Sequence, residues 1–347
     1  MDPFANILKN LWYLACPSSI LKKGKLVRKI LFGVPVILGR EDSGKVFALD
    51  DKCPHRGTPF SAGRLVEENG TPCIECPYHG WRFRTENGVC AKIPALSDRD
   101  DFDGSSIKVR HYHLHESNGI VWIFNGEKPK IAAPELGLAA DASPKDSTIM
   151  PVNAAYDEAV IGLVDPAHTP FVHRQWWWRE GKAAIEKTKQ FEPTSLGFRM
   201  PPHKPSSNSR IYKMLGGAPT TEIEFQLPGL RIETIRNQNH TIIGLTAMTP
   251  GDENEVIITH LIYWDMPLLT LLTPVVSMMS TSFLGQDRKI LIAQNNNLAR
   301  APHRPLYAGD PDVPAQWYYT LKRAWHNSNA QHEFDNPLSG QSLRWKT

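Results

Sequence analysis

The chain reads as an α+β protein of two domains: an all-β domain over 1–130, then a second domain over 131–347 in which an antiparallel sheet grips helices. Three observations predict this. Short strand runs separated by glycine turns fill the first third, strand runs flanked by helical stretches fill the second half, and a Pro- and Ala-rich segment, Glu127 to Ser147, lies between them. A length of 347 residues suffices for two domains of ordinary size, each with its own core.

From Lys25 to Leu49 the runs VRKILF, VPVILGRE and KVFALDD, punctuated by Gly33 and by Asp42-Ser43-Gly44, predict antiparallel hairpins. Asn87-Gly88 carries the signature of a type I′ turn, and Asn118-Gly119 marks another hairpin. His111, His113 and His115 alternate along that second hairpin with no other soft ligand nearby, so they read as a polar strand face. In the second domain, strand runs are expected at 211–215, 221–227, 231–236, 241–248 and 256–264. Helices are expected at about 155–165, 275–299 and 314–325.

A net charge of +3 with 22% charged residues describes a globular protein with no electrostatic commitment to nucleic acid. The N-terminus has an acid at Asp2 and no long apolar stretch, so no secretory leader is expected. Five cysteines without framework spacing imply reduced thiols and a cytoplasmic setting. Met266 to Gln286 runs 21 residues without a charge. Pro267, Pro274 and Gly285 argue against a bilayer span, leaving a buried core segment, or an apolar lid or peripheral membrane-facing surface.

The chemistry concentrates in two places. Cys53-Pro54-His55 and Cys76-Pro77-Tyr78-His79 are paired, short-spaced clamps of thiolate and imidazole. Tetrahedral zinc is one occupant of such a set. Each arm, however, supplies one Cys and one His, which suits a [2Fe-2S] cluster with one iron on two thiolates and the other on two imidazoles. Further on, Asp165-Pro166-Ala167-His168-Thr169-Pro170-Phe171-Val172-His173 sets two imidazoles five residues apart. That is the wrong step for one face of a regular helix, so their convergence on one ion needs a break, which Pro170 supplies. A third, carboxylate ligand would complete a facial triad with open positions for O2.

C-P-H-R-G at 53–57, C-P-Y-H-G-W at 76–81 and the Asp165–His173 segment together resemble the Rieske non-haem iron oxygenase α subunits. That superfamily includes ring-hydroxylating dioxygenases, vanillate and dicamba demethylases and pheophorbide oxygenase-like proteins. The resemblance implies a Rieske domain holding its cluster on Cys53, His55, Cys76 and His79. It further implies a helix-grip catalytic domain holding mononuclear Fe(II) on His168, His173 and Asp287. Asp287 lies in GQDRKILIAQ, which resembles the family helix that donates the carboxylate; Asp157 and Glu158 are the substitutes. By the same resemblance Asp165 bridges His79 of one protomer and His168 of the next, which implies a homotrimer. Where many members have Asn three residues before this aspartate, the chain has Gly162.

Implied too are O2 as co-substrate and electrons from NAD(P)H through a separate reductase, usually with a ferredoxin, since no dinucleotide fingerprint occurs here. The basic stretch Lys22, Lys23, Lys25, Arg28 and Lys29 is a candidate dock for an acidic ferredoxin. Large apolar residues flank both iron segments, with Trp176, Trp177, Met278 and Phe283 as candidate pocket residues. They favour hydroxylation or oxidative demethylation of a bulky apolar compound, polycyclic, aromatic or sterol-like. O- or N-demethylation of a small aromatic is the runner-up, and a Rieske electron carrier without oxygenase activity the third reading.

Overall fold

Period-two patterning and glycine turns build the first part of the chain. The computed structural model describes residues 4, 6–97, 102–173, 185–205, 218–303, 305–328 and 333–346. Its first strands are β1 (Trp12–Pro17), β2 (Leu26–Leu31), β3 (Val34–Arg40), β4 (Val46–Asp50), β5 (Arg64–Glu68), β6 (Thr71–Glu75), β7 (Arg82–Arg84), β8 (Cys90–Lys92), β9 (Leu114–Ser117) and β10 (Ile120–Phe124). They pair as three antiparallel sheets, β1-β10-β9, β2-β3-β4 and β5-β6-β7-β8. Ile37, Leu49, Phe60, Ile74 and Phe83 are almost fully buried in one apolar cluster, and Cys53 and Cys76 belong to it.

Two-residue turns close three hairpins with both residues at positive φ: Phe32-Gly33, Asn69-Gly70 and Asn118-Gly119. This backbone matches the strand twist. Asn87-Gly88 departs from the type I′ expectation, since only Gly88 has positive φ there. The Asn87 side chain accepts the Val89 N–H at 3.0 Å, and the Gly88 N–H donates to Arg84 O at 2.9 Å. With the Val89 amide taken by a side chain, the connection is a four-residue loop, 85–88, closed by the Arg84 N–H to Val89 O bond at 2.9 Å.

The chain divides into two compact units, Met1–Ala5, Lys9–Ala142 and Gly251–Glu253 in one and Asn6–Leu8, Ser143–Pro250 and Asn254–Thr347 in the other. Hydrogen bonds from Trp12 Nε1 to Ile131 O, 2.9 Å, and from Asn118 Nδ2 to Ala139 O, 2.7 Å, hold the Pro- and Ala-rich connection against the first unit.

The second unit contains β11 (Asp146–Asn153), α1 (Tyr156–Val164), α2 (Thr169–Val172), β12 (Glu186–Pro193), β13 (Gly197–His203), β14 (Thr220–Gln226), β15 (Leu230–Arg236), β16 (Thr241–Pro250) and β17 (Glu255–Trp264). After these come α3 (Pro267–Leu271), α4 (Thr273–Leu298), α5 (Val313–Asn327) and β18 (Gln341–Lys346). One eight-stranded antiparallel sheet results, in the order β11-β17-β16-β15-β14-β13-β12-β18. The expected strand at 211–215 lies outside the described residues. Sequence patterning misses β12, whose alternation is written in polar residues with only Phe191 buried.

Helices pack on this sheet through specific small and aromatic residues. A Cβ at Gly229 would lie 2.9 Å from Tyr156 Oη and 3.0 Å from Val160 Cγ2, so glycine there lets α1 approach β15 and β16. Tyr156 Oη donates to Met248 O at 3.2 Å. From α5, Tyr318 meets Phe225 edge-on, and Lys322 Nζ reaches both Asp157 oxygens on α1 at 2.6 and 2.7 Å. Asp157 is thereby committed to α5.

The uncharged run is not a buried core segment. Its residues form α3 and the first half of α4, where Leu268, Leu271 and Met278 are 66–79% exposed and only Ser280 and Leu284 are buried. No helix among the described residues is long and apolar enough to cross a membrane.

Candidate metal centres

Two loops of the first unit fold alike. In each, the Cys N–H donates to the carbonyl five residues on, Cys53 to Thr58 at 2.9 Å and Cys76 to Trp81 at 2.9 Å. The glycine N–H, four residues on, returns to the Cys carbonyl, Gly57 at 2.8 Å and Gly80 at 3.0 Å. Both glycines have positive φ, +75° and +69°, the left-handed conformation such a closing turn needs. Asp51 pins the first loop from beneath: its buried carboxylate accepts from Ser61 N at 2.7 Å and Ser61 Oγ at 2.6 Å, and pairs with Arg28 Nε at 3.1 Å.

The loops sort their ligands by type. Cys53 and Cys76 are buried free thiols close enough for one to hydrogen-bond the other. The imidazoles of His55 and His79 meet edge to face, 4.7 Å between centroids. Burial pushes the Cys53 thiol up to about 11, opposed by the His55 amide and reinforced by Cys76. Desolvation, then His55 and Arg56, lower His79. A sulfur pair inside the core and a nitrogen pair at the surface fit a two-iron cluster better than one tetrahedral ion. Among the described residues, the trio of potential ligands whose atoms all lie within 4.8 Å of one another is elsewhere.

That trio is His168, His173 and Asp287. The two histidines cap either end of α2, His168 as N-cap and His173 as C-cap, with Pro170 in its first turn. The break expected between them is thus a single capped turn, and it brings the rings to 5.3 Å. Asp287, from the middle of α4, places Oδ1 3.2 Å from His173 Nε2 and 3.8 Å from His168 Nε2. His173 is 1% exposed, whereas His168 and Asp287 keep about a quarter of their side-chain surface. Phe283, one turn before Asp287, stacks on His173 at 3.6 Å, and Gln286 Oε1 lies 3.1 Å from His173 Nδ1.

This geometry passes a test for a cation. Gln286 Oε1 can only accept, and a proton on His173 Nδ1 to meet it would leave the Nε2 lone pair facing a carboxylate oxygen at 3.2 Å. Two electron-rich atoms stay that close only with a proton or a metal ion between them. Burial works against charge on His168, but Asp165 and Asp287 outweigh it and raise its pKa.

Asp165 is the C-cap of α1. Its Oδ1 accepts from Ala167 N at 2.6 Å, and Oδ2 stands 3.6 Å from His168 Nδ1, a buried nitrogen with no closer polar partner among the described residues. Among the described residues, a Cβ at Gly162 would meet Leu291 Cδ2 at 3.9 Å. Glu158 accepts from Gln294 and stays outside the trio.

Of the candidate pocket residues, Phe283 adjoins the trio, and Met278 does not share its face. Nine residues before Asp287, Met278 falls half a turn out of phase and is 66% exposed. Trp176 and Trp177 lie outside the described residues. The basic stretch is divided as well: Lys29 turns inward to Ala15 O at 2.8 Å and Arg28 pairs with Asp51, whereas Lys22, Lys23 and Lys25 are exposed. Sequence reasoning missed Gln286 altogether. Trp81 closes the C-P-Y-H-G-W motif, and its indole stacks on His55.

The model of the Rieske [2Fe-2S] domain matches residues 11–112, which include all four cluster candidates. The solved structure of dicamba monooxygenase bound to dicamba superposes on 91% of the chain and 97% of its own, with a TM-score of 0.69 at 22% identity. The chain carries a Rieske [2Fe-2S] domain on the fold of the Rieske oxygenase α subunits. Among curated relatives of this Rieske protein, a 3-chlorobenzoate-3,4-dioxygenase oxygenase subunit of Comamonas testosteroni is 32% identical over 175 residues, 49% of the chain and 39% of the relative. A cholesterol 7-desaturase of Xenopus laevis is 33% identical over 175 residues, 48% of the chain and 36% of the relative. Each match therefore spans less than half of the relative's length.

Proposed function

We propose that this chain is the terminal oxygenase of a multicomponent Rieske system, which uses O2 and externally supplied electrons to hydroxylate or oxidatively demethylate an apolar substrate. The observation that carries this reading is the presence, in one chain, of a Rieske domain and of a separate His168, His173, Asp287 trio. A Rieske electron carrier leaves the trio unexplained, and a binding module leaves the Rieske loops unexplained.

Cys53 and Cys76 would hold the inner iron of the cluster, His55 and His79 the outer one, and His168, His173 and Asp287 the mononuclear iron. When bound, the cluster supplies single electrons and the mononuclear iron supplies O2 activation. The chain's residues do the rest. His55 is exposed and His79 half-buried, so the imidazole pair is the part of the ligand set that faces solvent and would be the side a redox partner approaches. Asp165 orients His168 through Oδ2 and, one third exposed, is available to accept from His79 of a neighbouring protomer in a homotrimer. Phe283 excludes water from one face of His173.

Electrons would come from NAD(P)H through a reductase and ferredoxin. A carbazole 1,9a-dioxygenase oxygenase of related fold, TM-score 0.63, has been solved in complex with its ferredoxin. Exposed Lys22, Lys23 and Lys25 suit an acidic carrier. The apolar wall at Phe283 and the sterol-named relative support a bulky substrate. The near-complete superposition on dicamba monooxygenase favours demethylation of a small aromatic as the second reading.

Iron and acid-labile sulfide per chain, with EPR after dithionite reduction, test the apparatus. Three irons, two sulfides and a Rieske-type signal are expected. Two irons with two sulfides, unchanged after anaerobic Fe(II) loading, would sink the oxygenase reading and leave the carrier.

A further inference from the structure

We propose that Gln286 is a positioning residue that locks His173 in the Nδ1-protonated tautomer and so presents Nε2 to the metal. This rests on the reading of His168, His173 and Asp287 as a mononuclear iron site.

Adjacent residues of α4 reach opposite edges of the same ring: Gln286 Oε1 lies 3.1 Å from Nδ1 and Asp287 Oδ1 lies 3.2 Å from Nε2. Residues one step apart on a helix point about 100° apart, which is enough for the pair to straddle an imidazole whose own segment caps the facing helix. Phe283, three residues before Gln286 and hence on the same helix face, stacks on the ring with planes 14° apart. Rotation about the ring normal is therefore the freedom left to His173, and the Gln286 contact removes it.

A free neutral imidazole carries its proton on either nitrogen, and a ligand whose proton sits on the metal-facing nitrogen must first exchange it. A fixed acceptor at Nδ1 removes that step. His168 has a different partner: its Nδ1 faces the Asp165 carboxylate at 3.6 Å. The two imidazoles therefore differ in character. His168 is polarised by an anion, and His173 is held by a neutral amide that fixes its proton without making it more basic. Nothing in the histidine motif signals this difference, because Gln286 is more than a hundred residues away in sequence.

The test is anaerobic titration of Fe(II) into full-length protein that keeps its Rieske cluster but has lost the mononuclear iron to a chelator. Gln286→Leu keeps the size and removes the acceptor, and Gln286→Glu restores one. A 10- to 100-fold weaker Fe(II) Kd for Q286L, with Q286E at wild-type affinity or tighter and the Rieske EPR signal unchanged in both, is the expected result. In the Zn(II)-loaded wild type, long-range 1H–15N spectra should show His173 with its proton on Nδ1, and Q286L should lose that fixed pattern.

Q286L binding Fe(II) within twofold of wild type would overturn the proposal. Equal weakening in Q286L and Q286E would overturn it too, because packing rather than the acceptor would then matter. If Q286L does not fold, Gln286→Met gives the same comparison. Asp287→Ala separates the two levels: no loss of Fe(II) binding in D287A would defeat the iron-site reading itself, and the role of Gln286 with it.

Discussion

The Trp81 indole lies flat on the His55 imidazole, centroids 4.6 Å apart and planes within 8°. The exposed ligand loop is thus covered from one side by a residue of the other loop. Trp81 also accepts the Cys76 N–H through its carbonyl and leans on Phe83, so its backbone role survives a side-chain change.

The first prediction follows from that stack. An aromatic pair contributes about 0.5–1.5 kcal/mol beyond its buried area. Trp81→Leu should leave the domain folded but speed cluster loss several-fold, read as bleaching of visible absorbance under a chelator. Trp81→Phe should stay within about twofold. Bleaching of W81L at the wild-type rate would show that the stack does not protect the cluster.

Two glycines with the same backbone angle should respond differently to alanine. Gly70 (φ +73°) has nothing within 4 Å of a Cβ, whereas at Gly88 (φ +69°) a Cβ would lie 2.0 Å from Val109 O. Gly70→Ala should lose only the left-handed penalty, about 1 kcal/mol. Gly88→Ala must also displace the Gly88–Val109 backbone pair and should lose about 3 kcal/mol or more. Urea denaturation followed by tryptophan fluorescence decides, and equal losses would refute the steric argument.

Lys322 and Asp157 form a clamp between α5 and α1, the helix that leads to Asp165 and His168. Lys322 is 9% and Asp157 26% exposed, and Tyr318 Oη donates to Asp157 Oδ1 at 2.6 Å. Removing one partner strands the other charge, so Lys322→Met should cost about 2–4 kcal/mol. The double variant with Asp157→Asn should recover part of it. Melting temperatures of the four-member cycle measure the coupling, and strict additivity would argue against a stranded charge.

His260 predicts how stability depends on pH. It pairs with Thr148 and Thr246 across β11, β17 and β16, and its Nδ1 lies 2.9 Å from Thr246 Oγ1. Desolvation, helped by Arg231 and opposed by Asp146 and Glu233, lowers its pKa to about 4. The unfolded chain, near 6.5, binds this proton more readily, so stability falls as pH drops through the interval from about 6.5 to about 4. The His260 share between pH 7 and pH 5 is about 2 kcal/mol. His260→Gln should remove that share of the pH dependence of the urea midpoint, and an unchanged slope would assign it to other groups.

The Rieske loops and the paired histidines were legible in the sequence because their ligands lie within a few residues of one another. A short motif states the donor chemistry, and the local turn supplies the geometry. The α+β class, most hairpins and the three longer helices follow for the same reason, since period and turn residues are local signals. Resemblance singled out Asp287, and its position on α4 required the fold.

Other features were decided by long-range packing. β18 closes one edge of the sheet by pairing with β12, and β17 inserts between β11 and β16. Partners so far apart leave no trace in local patterning. Helical phase, set by how α4 packs, turned Phe283 toward His173 and Met278 toward solvent, though both are apolar residues of one run. The same phase brought Gln286, an unremarkable polar residue in the sequence, to the second nitrogen of His173. The sequence by itself determined which donor atoms the chain offers. The tertiary structure decided which of them converge, and which side chains orient them, because hydrogen-bond geometry between distant segments exists only once the sheet and helices have packed.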